Sequence, residues 1–122
     1  MKLYTFFRGS SPFRLRIALN LKGLPYESVP VHLGKNEHQR AEFGNVNPQQ
    51  LLPALMLEDG QVLTQSLAIM EYLEEKHPVP ALLPKDRYGR ARVRALSLLI
   101  ACEIHPLNNK RTLDFLRSGS GH

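Results

Sequence analysis

The spacing of hydrophobic and polar positions changes several times along this chain, and each change marks an element. Lys2 to Phe7, KLYTFF, has the apolar and aromatic density of a buried strand, and the Gly9-Ser10-Ser11-Pro12 run ends it. Ser11 then suits a helix cap, and Pro12 suits the first helical position, where a missing N–H is no loss. Phe13, Ile17 and Leu21 recur every four residues, which predicts one apolar helix face, and Gly23 closes the helix. Tyr26 to Leu33 reads as a second strand, with Pro30 placing it at an edge or a bulge. Gly34 to Pro48 is polar, with a short helix around His38 to Phe43 and a turn at Asn47-Pro48. Leu51 to Leu57 and Gln61 to Thr64 flank Asp59-Gly60, the signature of a tight hairpin. From Ser66, Leu67, Met70 and Leu73 or Glu74 step at helical spacing while Glu71, Glu74 and Glu75 take much of the other face. Lys76, His77 and Pro78 end that helix with the polarity a C-terminus favours.

The resulting order is β-α-β-α-β-β-α. Its first half needs a crossover and so pairs parallel, whereas the hairpin adds antiparallel strands. This is an α/β domain in the thioredoxin-like order, expected over residues 1–80. Pro78, Pro80 and Pro84 make a stiff linker after it. Residues 81–117 are expected to begin an all-helical domain. Within them, Arg87 to Leu116 places Ala91, Ala95, Leu98, Leu99, Cys102 and Leu113 as in one long helix, disturbed near Pro106. That apolar face needs a partner to cover it. Residues 118–122, Ser-Gly-Ser-Gly-His, read as a linker or tag remnant.

Composition narrows the function. With 122 residues, 43% hydrophobic and 22% charged, the chain suits one compact core. The single cysteine, Cys102, cannot form an intramolecular disulfide and reads as a small core residue. The first thirty residues lack the pattern of a secretory signal, so a cytoplasmic setting is expected. Charges interrupt every hydrophobic stretch, so no membrane span is expected. The net charge of +5 could serve nucleic acid, an acidic membrane surface or a small anion. The arginines cluster at Arg8, Arg14 and Arg16 and again from Arg87 to Arg111, without the interleaved aromatics that stack bases. A small anion therefore fits better than nucleic acid.

Four segments in succession, FFRGSSPFRLRIALNLKG, NPQQLLPAL, QSLAIMEYLEEKHP and IHPLNNKR, resemble signatures of the zeta-class glutathione transferases. The resemblance runs from Met1 to about Leu116. It implies glutathione as cofactor and a homodimer that isomerises a small dianionic maleyl keto acid, maleylacetoacetate or maleylpyruvate, by reversible thiolate addition. It also implies a longer helical domain than this chain holds. The alternatives are a catalytically weak glutathione-binding module and a general glutathione transferase.

The resemblance assigns residues as well. The family's usual serine after the Phe-Arg pair is Gly9 here, so thiolate activation falls to Ser10 or Ser11 and the backbone N–H groups of the turn. Read without the resemblance, that serine pair is a helix cap. Leu52-Pro53 resembles a turn whose cis proline exposes the preceding backbone to the cysteinyl unit of glutathione, in the manner of an added strand. Gln65 and Ser66 resemble the pair that holds the γ-glutamyl carboxylate at a helix N-terminus. His38 and Gln50 are further candidate contacts. His105 and Asn109 resemble residues lining the cleft between the domains, as does Arg111. Arg8 and Arg111 are the expected clamps on substrate carboxylates, because a guanidinium fork matches a carboxylate. No metal site is expected.

Overall fold

Four short strands form one mixed sheet in the order β2-β1-β3-β4 in the computed structural model, which describes residues 1–119. β1 (Lys2–Thr5) runs parallel to β2 (Glu27–Pro30), with Leu3 opposite Ser28 and Thr5 opposite Pro30. The connection is helix α1 (Ser10–Leu21), the crossover that a parallel pair requires. β3 (Ala54–Met56) is antiparallel to β1 and to β4 (Val62–Thr64). Pro30 is accommodated because β2 is an edge strand. The β3–β4 turn depends on Gly60, whose φ of 85° favours glycine, and Asp59 Oδ1 accepts the Gln61 N–H at 3.0 Å.

The strand reading of Phe6 and Phe7 is corrected. Both leave the sheet, and Phe6 O accepts the Gly9 N–H at 2.9 Å to form the turn into α1. Gly9, rather than Ser11, occupies the N-cap position, so Ser11 is the second helical residue. The buried face of α1 also differs from the predicted one. Leu15, Ala18, Leu19 and Lys22 are buried, whereas Phe13, Ile17 and Leu21 are 55, 43 and 61% exposed. A four-residue repeat exists on both faces of this helix. The sheet takes the face that also has a three-residue step, since 3.6 residues per turn needs both.

Leu15 and Leu19 meet Leu3 and Leu55 of the sheet and Ile69 and Leu73 of α3 (Ser66–Lys76) to form the main core. A smaller cluster of Val31, Phe43 and Ala54 lies under α2 (Ala41–Val46), where the Tyr4 and Phe43 rings stand 5.8 Å apart. Around His38 the chain forms two 3₁₀ turns, Leu33–Lys35 and Glu37–Gln39, before α2 begins.

Glu74, which its spacing leaves open to either face of α3, is buried beside Lys22, with Nζ and Oε2 2.8 Å apart. The same ammonium donates to the carbonyls of His77 at 2.6 Å and Pro80 at 2.9 Å. The Glu74 carboxylate in turn accepts the Leu82 N–H at 3.0 and 3.1 Å. The end of α1, the end of α3 and the chain to Leu82 are thus joined by one polar cluster.

The chain divides into two compact units, Met1–Leu82 and a second from Leu83 onward. The second begins with α4 (Arg87–Leu98), capped by Asp86, which accepts the Gly89 N–H at 2.6 Å. The single helix predicted through Leu116 is interrupted. Wide π-helical turns span Leu99–Ile104 and lead into α5 (His105–Asn108), because Pro106 offers no N–H to the regular ladder. Asn109 is extended, at φ −77° and ψ 164°, and its Oδ1 accepts the Thr112 N–H at 3.0 Å, restarting the chain as α6 (Lys110–Gly119). Ser118 and Gly119 therefore close a helix; residues 120–122 of the expected linker lie outside the described residues. Cys102 is exposed and not a core residue. Among the described residues no helix is long and apolar enough to cross a membrane.

Replacing Lys22 by Met leaves Glu74 buried without its cation, and a loss of roughly 3–5 kcal/mol in urea unfolding is expected. Adding Glu74→Gln recovers part of that loss, since the carbonyls of His77 and Pro80 stay short of a donor in both variants.

Candidate functional site

None of the three α-helices of the first unit has a side-chain cap at its start. At the two long ones, α1 and α3, no cap takes the N–H of Ser11 or those of Ser66, Leu67 and Ala68, and such groups suit an anion. A side-chain contact links the two starts. Arg14, on the second turn of α1, donates to Ser66 Oγ at 3.4 Å, a long bond at the edge of acceptable geometry. Partial burial pushes the Arg14 pKa down from its usual value, but a guanidinium stays charged.

A second contact brings in the loop before β3. Gln65 Nε2 donates to Gln49 Oε1 at 3.2 Å. That loop is organised by Asn47, which is fully buried. Its Nδ2 donates to the Leu51 carbonyl at 2.8 Å, and its Oδ1 accepts the Gln49 N–H at 3.0 Å. Gln50 follows at φ 56° and Gln65 stands at φ 69°. A non-glycine residue held at positive φ costs about 1–3 kcal/mol and persists only where its surroundings demand it. Leu52-Pro53 is cis and half-buried to buried, immediately ahead of β3.

Ser10, Ser11, Gln65 and Ser66 therefore lie at two neighbouring helix starts, and Gln50, Leu52 and Pro53 lie on the loop tied to one of them. The other predicted residues sit elsewhere. His38 is half-buried in the Glu37–Gln39 turn. Arg8 is exposed, with its guanidinium 5.3 Å from the centre of the Phe7 ring. His105, Asn109 and Arg111 belong to the second unit. There Asn109 serves as the cap of α6, and Arg111 is exposed in its first turn.

Three residues of the site escaped the sequence reading. Arg14 was counted only as part of a basic cluster, although its position one turn after Ser10 and Ser11 puts it near the same helix start. Asn47 was read as a turn residue, and the Asn-Pro pair carries the signal of a side chain that binds its own backbone two residues on. Gln49 had no signal. Its partner is sixteen residues away and meets it only in the fold.

Gly9 stands in a crowded turn. Its φ of −76° and ψ of 122° suit any residue. A Cβ there would nevertheless lie 3.0 Å from Pro12 Cδ and Cγ and 3.3 Å from Phe6 O. The turn has closed around a missing side chain.

The comparisons with known proteins agree with this geometry. The family described as glutathione S-transferase, N-terminal domain, matches residues 1–75. A maleylpyruvate isomerase from Ralstonia sp is 59% identical over 121 residues, which is 99% of this chain and 57% of the relative. A maleylacetoacetate isomerase from Pseudomonas aeruginosa is 50% identical over 119 residues, 96% of this chain and 56% of that one. The crystal structure of a maleylacetoacetate isomerase from Methylobacterium extorquens AM1, with bound malonate and GSH, superposes with a TM-score of 0.97 at 44% identity, covering 100% of this chain and 57% of that one. The chain thus spans a little over half the length of the relatives it matches.

Two outcomes test the local geometry. Gly9→Ala is expected to lower stability by about 1–3 kcal/mol in chemical unfolding, and Pro12→Ala in the same chain to reduce that loss. The turn that carries His38 is sensitive to acid. The His32 N–H, 2.6 Å from Glu37 Oε2, holds the Glu37 carboxyl below its ordinary value. A depressed carboxyl adds stability above its unfolded pKa and loses it as pH falls through the folded value. Glu37→Gln should therefore flatten the fall in melting temperature below about pH 4.3.

Proposed function

This chain belongs to the glutathione S-transferase family by its N-terminal domain, and we propose on that premise that it binds glutathione for the cis-trans isomerisation of a maleyl keto acid. The observation that carries the proposal is the pair of uncapped helix starts joined through Arg14 and Ser66, with Gln65 tied to the Asn47–Leu51 loop. A tripeptide with two carboxylates and a thiol calls for anion-binding N–H groups, a hydroxyl donor near the sulfur and an open backbone edge. The residues present fit that requirement.

When bound, glutathione supplies a thiolate nucleophile that adds reversibly to the maleyl double bond and so allows rotation. The protein's part is binding and electrostatics. Gln65 and Ser66, with the first N–H groups of α3, hold the γ-glutamyl carboxylate where the helix dipole favours negative charge. Leu52 offers its backbone to the cysteinyl unit. Gln50 and His38 extend the contacts toward the remaining carboxylate. Ser10 and Ser11, with the N–H groups at the start of α1, stabilise the thiolate, since donors aimed at a sulfur favour its charged form. Arg8 and Arg111 are the proposed clamps on substrate carboxylates, and His105 and Asn109 are proposed as further contacts to glutathione. A homodimer in the cytoplasm is the proposed setting.

Gly9 favours a second reading, in which this chain binds glutathione without efficient turnover. The turn has no hydroxyl at that position, and a Cβ there would press on Pro12.

Calorimetric titration with glutathione is expected to show saturable one-site binding, weakened about tenfold or more by Ser66→Ala or Gln65→Ala, as expected for lost bonds to a charged group. Loss of maleylpyruvate absorbance should require glutathione. A rate independent of glutathione refutes the isomerase reading, and binding without turnover selects the binding-module reading.

A further inference from the structure

Resting on the glutathione reading above, we infer that Arg16 is a positioning residue that braces the Phe6–Gly9 turn and so sets where Ser10, Ser11 and their N–H groups stand relative to the thiol. Arg16 lies on α1 beyond the turn it would control, and its side chain reaches back across it. Nη1 donates to Thr5 Oγ1 at 2.6 Å and to Phe6 O at 3.4 Å, and Nη2 donates to Phe7 O at 3.4 Å. Three consecutive residues at the exit from β1 are thus held by one guanidinium.

The geometry uses what only arginine provides. The edge of the guanidinium carries the fork of donors, while its carbon stands 5.4 Å from the centre of the Phe13 ring. Thr5 is buried at the end of β1, so the anchor point is part of the sheet. Phe6 O has two donors, Arg16 Nη1 and the Gly9 N–H at 2.9 Å. Gly9 O then accepts the Phe13 N–H at 3.0 Å, which opens α1. The path from Arg16 to the start of the helix is therefore Arg16, Phe6 carbonyl, Gly9, Phe13, with Ser10 and Ser11 inside it.

Gly9 brings no side chain to cap the helix, so beyond the turn's own Phe6–Gly9 bond its hold on the sheet comes from Arg16. Donors contribute to thiolate stabilisation only while they stay aimed at the sulfur, and a displacement of a fraction of an ångström weakens them. Removing Arg16 should leave the carboxylate contacts at Gln65 and Ser66 in place and disturb the thiol end alone. Affinity for glutathione and acidity of its thiol should then separate.

The test compares the intact chain with Arg16→Met, Arg16→Lys and Thr5→Val. Thr5→Val keeps the guanidinium and removes its shortest bond, and it is available if Arg16→Met does not fold. Two quantities are read for each: the dissociation constant of glutathione by calorimetry, and the pH at which bound glutathione gains thiolate absorbance. Arg16→Met is expected to reduce the thiolate-to-thiol ratio at any given pH about tenfold, corresponding to a rise of roughly one pKa unit, while affinity changes less than about threefold. Thr5→Val should shift the same titration in the same direction by less. Arg16→Lys should not restore it, because an ammonium cannot span the three acceptors. A wild-type thiol titration in variants that are merely less stable to heat overturns the inference and leaves the glutathione reading standing. Failure of the unaltered chain to bind glutathione overturns both, whereas binding that leaves the thiol unacidified overturns the inference and selects the binding-module reading.

Discussion

Lys22 is fully buried, and its position is possible only because every direction around its ammonium is occupied by an oxygen. Glu74 supplies a charge, and His77 and Pro80 supply carbonyls. A buried cation without such company would carry a desolvation cost of several kcal/mol. The partners come from the last turn of α3, its C-cap and the chain just after it, more than fifty residues from Lys22. The cluster therefore forms only when α1 has ended at the right residue, α3 has the right rotation, and the chain after α3 has turned back. It couples the ends of both helices to the exit from the first unit. The starts of those same helices, at the other end, are where Gly9 and Gln65 stand.

That arrangement separates two tasks along each helix. At their C-terminal ends α1 and α3 are held by a satisfied polar network, and between the ends by Leu15, Leu19, Ile69 and Leu73 against the sheet. At their N-terminal ends the backbone N–H groups are left without side-chain caps. The contrast with α4, where Asp86 closes the first turn, is local and physical. Helix starts that are rigidly placed and uncapped attract anions, and the supporting core supplies the rigidity. Arg14, Arg16 and Asn47 then define the positions of the surrounding turns through bonds to Ser66, to the exit of β1 and to the 47–51 loop.

The second unit shows the opposite balance. Leu98, Leu99, Ile100, Ile104, Leu107 and Phe115 are all about half-exposed or more. α4 and α6 are capped and regular, but the π-helical segment and Asn109 interrupt the face that a single long helix would have presented. Local capping alone does not bury these side chains.

Much of the first unit could be read directly from the order of residues. Element types, the parallel crossover, the edge position of Pro30, the Asp59-Gly60 hairpin and the helix start at Ser66 all follow from short-range chemistry: backbone preferences, turn residues and periodicity. The resemblance to a known family added Leu52-Pro53 and the Gln65-Ser66 pair. What only the tertiary structure decided is which face each element turns inward and which distant polar groups meet. Phe13, Ile17 and Leu21 form as regular a stripe as Leu15 and Leu19, yet the sheet covers only the latter. Glu74 looks like any surface glutamate until Lys22 arrives from fifty residues away, and Gln49 and Arg16 gain partners only across the fold. Periodicity fixes angles around one helix axis. It carries no information about where a second surface lies, and burial depends on that second surface.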